Sequence, residues 1–149
     1  MIFNLETFVL ESNRIEGIHR PSTSWELTAH RKFLQLPFIG INDLMEMVAA
    51  IQAGALPRFT QGRDVRVGNH VPPRGGPHVM AALQQLLKDV NSKAANPYDA
   101  HVAYETLHPF TDGNGRSGRA LWLWHMGGID KAPLGFLHHF YYQSLQSAK

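Results

Sequence analysis

The stretch His108-Pro109-Phe110-Thr111-Asp112-Gly113-Asn114-Gly115-Arg116-Ser117-Gly118-Arg119 constrains the fold more than any other part of the chain. Its glycines fall between two segments that read as helices, so the backbone must turn sharply and pass close to whatever it binds. Successive N–H groups in such a turn form a concave nest for anions. A helix beginning near Arg116 adds its unpaired N–H groups and the positive end of its dipole. Arg116 and Arg119 are three apart, share a face of that helix, and can both reach an anion held at its start. Asn114 supplies an amide, Asp112 a hard oxygen ligand suited to Mg²⁺ held between protein and phosphates, and His108 a base at the entrance. Such a loop is equipped to hold a metal-bound polyphosphate beside a general base.

Two other glycine patterns compete for this stretch. Gly113-Asn114-Gly115-Arg116-Ser117-Gly118 formally matches the dinucleotide fingerprint G-x-G-x-x-G, which needs a preceding strand inside a βαβ unit. The residues before it look helical, and no parallel sheet is in sight. A P-loop fails because no Lys-Ser/Thr follows the glycines. A purely structural turn would not require His, Asp, Asn and two Arg together.

The rest of the chain is a succession of helical stripes. Leu5, Phe8, Val9 and Ile15 keep helical spacing up to Gly17. Thr23 and Glu26 form a capping-box pattern for a second helix that stops before Pro37. Asn42 or Asp43 caps a third, carrying Leu44, Met47, Val48 and Ile51 and ending at Gly54. Pro77 suits the first residue of a fourth, with the stripe Met80, Leu83, Leu87 and Val90. Pro97 opens a fifth that runs toward Leu107, and a sixth extends from about Arg116 to Met126 before Gly127-Gly128. A last helix is expected from about Pro133, with Leu134, Leu137 and Tyr141. Only Asp64-Val65-Arg66-Val67 alternates like a strand, and Gly68-Asn69 follows as a turn signal. The expectation is an all-α single domain over 1–149 with one short β-hairpin flap, about 58–76, between the third and fourth helices.

With 149 residues, 44% hydrophobic and 17% charged, the chain suits one soluble domain. A formal charge of +2 gives no global argument for a nucleic-acid partner. Cys is absent, which excludes disulfides and thiolate catalysis. The nine histidines contain no H-E-x-x-H pattern, so structural zinc is not expected. Neither a signal peptide nor a membrane span is visible, and the expected location is the cytoplasm, with no membrane partner. Trp122, Trp124, Phe136, Phe140, Tyr141 and Tyr142 read as core or subunit interface, and Tyr98 and Tyr104 as helix packing.

The first helix carries an oddity. Its apolar stripe of Leu5, Phe8 and Val9 continues at helical spacing through Ser12 and Glu16. A carboxylate buried on that face is costly unless paired, and Arg116 or Arg119 would serve as partner. The competing reading ends the helix near Ser12 and leaves Glu16 solvated, as most charged residues are.

Residues 108–119 match the signature H-x-F-x-[D/E]-G-N-G-R-x-x-R at every specified position, and on this ground the chain resembles the Fic (filamentation induced by cAMP) family. Val65-Arg66-Val67-Gly68 with Pro72-Pro73 resembles the family's target-docking flap, and the helix order is similar to the Fic core from about residue 42. The resemblance implies transfer of AMP from ATP to a Ser, Thr or Tyr hydroxyl of a target protein. In that reaction His108 is the base and Asp112 the Mg²⁺ ligand. Gly113, Asn114, Gly115 and Arg116 form the anion hole, Arg119 grips the γ-phosphate, and Phe110 fixes the loop. Helix–loop–helix 97–127 is then the active site. Ser12-Asn13-Arg14-Ile15-Glu16-Gly17 also matches the motif [S/T]-x-x-x-E-[G/N] of members whose inhibitory helix, here about 1–20, precedes the core. In those members the glutamate pairs with the second signature arginine, here Arg119, and keeps the enzyme off. Family members often pair, so a homodimer is among the implied partners. Other transferase chemistry on this fold, removal of AMP, and a nucleotide-sensing module without turnover are the alternatives, and the intact His108 speaks against the last.

Overall fold

The computed structural model describes residues 4–132. Six α-helices follow one another: α1 (Leu5–Ile15), α2 (Ser24–Leu34), α3 (Ile41–Ile51), α4 (Pro77–Asn91), α5 (Pro97–Leu107) and α6 (Asn114–Met126), with a 3₁₀ turn at Ile129–Lys131. The expected all-α architecture is what forms. The last helix expected, from Pro133 with Leu134, Leu137 and Tyr141, lies outside the described residues, as do Phe136, Phe140 and Tyr142.

The helix starts follow from local chemistry. Thr23 and Glu26 form the reciprocal capping box of α2. Pro77 and Pro97 sit in the first turns of α4 and α5, where a missing N–H costs nothing. α3 starts two to three residues earlier than expected: Gly40 is its cap in place of Asn42 or Asp43, and Asp43 accepts from the Gly40 N–H at 2.8 Å. α6 starts at Asn114 rather than Arg116, because Gly113 takes the left-handed cap conformation at φ 77 that a Cβ would disfavour.

α6 is the central element and packs on α5, α2, α3 and α1. Arg116 to Leu123 are all buried, as expected of a helix enclosed on every side. The main core joins Leu44, Met47 and Val48 of α3, Leu83 and Leu87 of α4, and Tyr104 and Leu107 of α5 to Leu121 of α6. On α4 the inward position is Val79, while Met80 is partly exposed. A second cluster of Phe8, Val9, Trp122 and Leu123 fastens α1 onto α6. That cluster is what brings Ser12 and Glu16 over the glycine-rich loop. Trp124 packs against the main core and donates to the Leu36 carbonyl, whereas Tyr98 is exposed.

Residues 64–67 do not form a strand. Among the described residues the only β pairings are isolated bridges, Val67 with His70 and Pro57 with Phe110. The Asp64-Val65-Arg66-Val67 alternation has no second strand to pair with, so the excursion between α3 and α4 is an extended loop closed by one tight turn.

Candidate active site

The loop is built by the end of α5 and the start of α6. His108 terminates α5 in a left-handed conformation, φ 52 and ψ 65, unusual for a residue with a Cβ. Its surroundings over-determine that strain. The His108 carbonyl accepts from Arg58 Nε at 2.6 Å, and the Arg58 N–H donates to the Pro109 carbonyl at 2.9 Å. Nδ1 of His108 lies 3.1 Å from the Glu105 carbonyl. A carbonyl only accepts, so Nδ1 carries the proton and Nε2 keeps its lone pair in the neutral ring. Burial lowers the His108 pKa; the Glu105 carbonyl opposes this, and Arg58 and His70 reinforce it. The ring therefore stays neutral, the form a general base needs.

Arg58 is the residue that sequence reasoning missed. It is fully buried, and its guanidinium donates to the carbonyls of His108, Leu107, Pro73 and Arg63. It thus ties the last turn of α5 to the extended loop 58–76. Asp64 closes the loop on itself by accepting from the Gly75 N–H at 2.8 Å. His70, weighed in the sequence only as a metal ligand, donates from Nε2 to the Thr106 carbonyl at 2.9 Å. Opposite-charge or burial patterning gave no signal for these roles.

A cleft of ≈ 890 Å³ opens over the loop, within the range of small-molecule sites. Asp112, Gly113, Asn114, Gly115, Arg116 and Arg119 form its floor, and His108 borders it. Val65, Arg66, Val67 and Gly68 of the extended loop face it, as do Ile15 and Glu16 from the end of α1. Nearly all the residues singled out in the sequence are thus brought to one place.

Their side chains divide into two groups. Phe110 is buried, and Asn114 clamps it, accepting from the Phe110 N–H at 2.9 Å and donating to its carbonyl at 2.8 Å. Arg116 is also turned inward. It donates to the Ile51 carbonyl at 2.9 Å and to the Gln52 side-chain oxygen, with Glu26 at 3.9 Å. Asn114 and Arg116 therefore brace the loop with their side chains rather than sharing a ligand-facing surface with Arg119. Glu26 beneath them is buried, which works against its charge. Hydrogen bonds from Arg20, Thr23 and Asn13 outweigh that and hold it down to about 2.

Arg119 is the arginine that meets α1. Its Nε donates to Ser12 Oγ at 2.8 Å, and Nη2 donates to the Ser12 carbonyl at 2.9 Å and to Glu16 Oε1 at 2.7 Å. Of the two partners open from spacing alone, the Glu16 carboxylate takes Arg119. Glu16 is not buried on the helix stripe, however. It lies one residue past the end of α1 with 37% of its side chain accessible, inside the cleft. Gly115 makes the space: a Cβ there would collide with Glu16 Oε1 and come within 3.1 Å of Arg119 Nη1. An oxygen of opposite charge to Arg119 thus fits a cradle walled by bare backbone.

These features define a helical protein with an anion cradle at a helix N-terminus beside a neutral histidine. Residues 38–126 match the Fic/DOC family, and the chain belongs to it. It is 37% identical over 98 residues to the protein adenylyltransferase Fic of Drosophila willistoni, covering 56% of this chain and 18% of that protein. The protein of the same name from Drosophila mojavensis is 33% identical over 103 residues, covering 59% of this chain and 19% of the relative. The chain therefore spans under a fifth of the length of these relatives.

Proposed function

We propose that this chain is a protein adenylyltransferase that moves AMP from ATP to a hydroxyl side chain of a target protein, and that Glu16 holds it off at rest. The observation that carries the reading is the neutral His108, with its Nε2 lone pair, beside the cradle where Glu16 Oε1 occupies Arg119. Family membership and relatives named protein adenylyltransferase support it.

In this reading the α6 N-terminus and the N–H groups around Gly113 and Gly115 hold the phosphates, and Arg119 grips the terminal one. His108 Nε2 takes the proton of the target hydroxyl as its oxygen attacks the α-phosphorus. The bond to the pyrophosphate oxygen breaks, and pyrophosphate leaves. Positioning and charge stabilisation carry most of the rate in such a displacement. Asp112 fits Mg²⁺: it borders the cleft, and its Oδ1 is oriented by the Gly113 N–H at 2.8 Å. Mg²⁺ there would offset charge on the phosphates. The cleft-facing residues 65–68 would align the target backbone by strand addition, a mode that reads few side chains.

Inhibition follows from competition for one guanidinium. While Glu16 holds Nη2 of Arg119, a terminal phosphate cannot take the same donors. The domain limits and the subclass with the inhibitory helix ahead of the core belong to the same proposal. Incubation with labelled ATP, UTP and GTP tests it. Glu16→Gly should label itself strongly with ATP, wild type weakly, and Glu16→Gly with His108→Ala not at all. Equal labelling by wild type and Glu16→Gly would sink the inhibitory role, and labelling that survives His108→Ala would sink the base.

A further inference from the structure

Besides Glu16 and Asp112, the roles assigned so far leave a third carboxyl of the cleft unused. Glu105 sits on α5 three residues before His108 and lines the same cleft as Glu16 and Arg119. Its Oε1 has no accessible surface and no hydrogen-bond partner among the described residues. His101 Nε2, at 3.9 Å, is too far to supply a hydrogen bond. The seat is purpose-shaped, because α6 carries a glycine where the carboxyl rests. A Cβ at Gly118 would lie 2.8 Å from Glu105 Oε1 and 2.9 Å from Tyr104 Cδ1. The side chain keeps 25% of its surface accessible, within the cleft it lines.

An ionised carboxylate here has a sealed, unsatisfied oxygen and would repel any polyanion that Arg119 attracts. A neutral carboxyl leaves the sealed oxygen uncharged, which lowers the cost of burying it, removes the repulsion, and offers an O–H from the other oxygen to a phosphate oxygen. The charged or titratable groups facing it are Arg119 from α6, Glu16 from the end of α1, and His101 and Tyr104 from its own helix. Burial pushes Glu105 up to about 7; Arg119 pulls it down and Glu16 pushes it further up.

We propose that Glu105 is a ligand-contacting acid of this cleft: protonated, it donates a hydrogen bond to the polyphosphate that Arg119 grips, so nucleotide binding takes up a proton. This rests on the nucleotide reading above. Negative charge arriving beside Glu105 raises its proton affinity, and linkage requires that the protonated protein bind the nucleotide more tightly. Above pH 7 the affinity should fall by up to about tenfold per pH unit.

The test uses the full chain carrying Glu16→Gly, which frees Arg119, with and without Glu105→Gln. Glu16 pushes Glu105 up, so its removal leaves the free carboxyl more ionised at pH 8 and enlarges the expected uptake. The probe is Mg²⁺ with α,β-methylene-ATP, which cannot transfer AMP. Calorimetry at pH 8 in two buffers of different ionisation enthalpy gives the protons taken up. The chain with Glu105 should take up close to one proton more than its Gln counterpart, and only its affinity should fall steeply from pH 6.5 to 8.5. Equal proton uptake by the two proteins overturns the inference while leaving nucleotide binding intact. Binding by neither protein at any pH overturns the nucleotide reading itself. Should Glu105→Gln fail to fold, a flat affinity profile for the Glu105 chain alone still overturns the proposal.

Discussion

Arg58→Met should be among the costliest single changes in this chain, although Arg58 lies behind the glycine-rich loop rather than in the cleft. The guanidinium is fully buried and donates to four carbonyls, those of His108, Leu107, Pro73 and Arg63. A hydrogen bond from a charged donor contributes about 1.5–3 kcal/mol net, and each buried acceptor left alone costs about 1–3 kcal/mol. Loss of the cation also removes the favourable charge at the α5 C-terminus, worth roughly 0.3–1 kcal/mol. Water and relaxation recover part of this, so the expected cost is about 4 kcal/mol, comparable to removing one partner of a buried ion pair. For a chain of this size that lowers Tm by roughly 8–16 °C. Thermal unfolding followed by circular dichroism reads it, with urea titration checking that the midpoint moves while the slope stays constant. Arg58→Lys keeps the charge but loses the fork, and should fall about midway. A drop of less than about 3 °C for Arg58→Met would show that these bonds do not hold the loop.

Other changes separate the bracing side chains from the ligand-facing ones. Asn114→Ala should cost about 2 kcal/mol by urea titration, since the buried Phe110 N–H and carbonyl both lose their partner. Asn114→Asp should cost more, because it sets a carboxylate against that carbonyl. Gly118→Ala should cost about 1–3 kcal/mol, as the added methyl meets Glu105 and Tyr104 at 2.8 and 2.9 Å. The two perturbed glutamates should tilt stability in opposite directions. Glu26, held down to about 2, stabilises the fold above its ordinary value near 4.5, and that contribution is lost as pH falls toward 2. Glu105, pushed up to about 7, favours the protonated folded form, so its contribution is present below 4.5 and lost as pH rises through 7, at most roughly 3 kcal/mol. Glu26→Gln should flatten the acid side of the stability profile, and Glu105→Gln the decline between pH 4.5 and 7.

Local rules made most of the fold legible. Pro77, Pro97 and the Thr23–Glu26 box announce helix starts by chemistry that needs no tertiary context. The loop from His108 to Arg119 was legible for the same reason: its glycines, anion-binding groups and base are consecutive. What escaped the sequence depends on contacts between distant residues. Arg58 looks like any solvated arginine until four carbonyls converge on it. The alternation at 64–67 has strand chemistry, but no strand lies beside it to complete a ladder. Spacing put Arg116 and Arg119 on one side of α6, yet Gln52 and the Ile51 carbonyl draw Arg116 away from Arg119. Spacing left Glu16 open between the buried stripe of α1 and solvent, and the helix ends at Ile15 and sets its carboxylate in the cleft.

The central claim is that the loop presents the α-phosphorus to a hydroxyl while Arg119 holds the terminal phosphate. Parallel incubations of the Glu16→Gly chain with ATP labelled at the α- or the γ-phosphate, read on one denaturing gel, test it most directly. The account predicts protein-bound label from α-labelled ATP alone, lost on His108→Ala. Retention of the γ-label instead would mean phosphoryl transfer and would contradict the account.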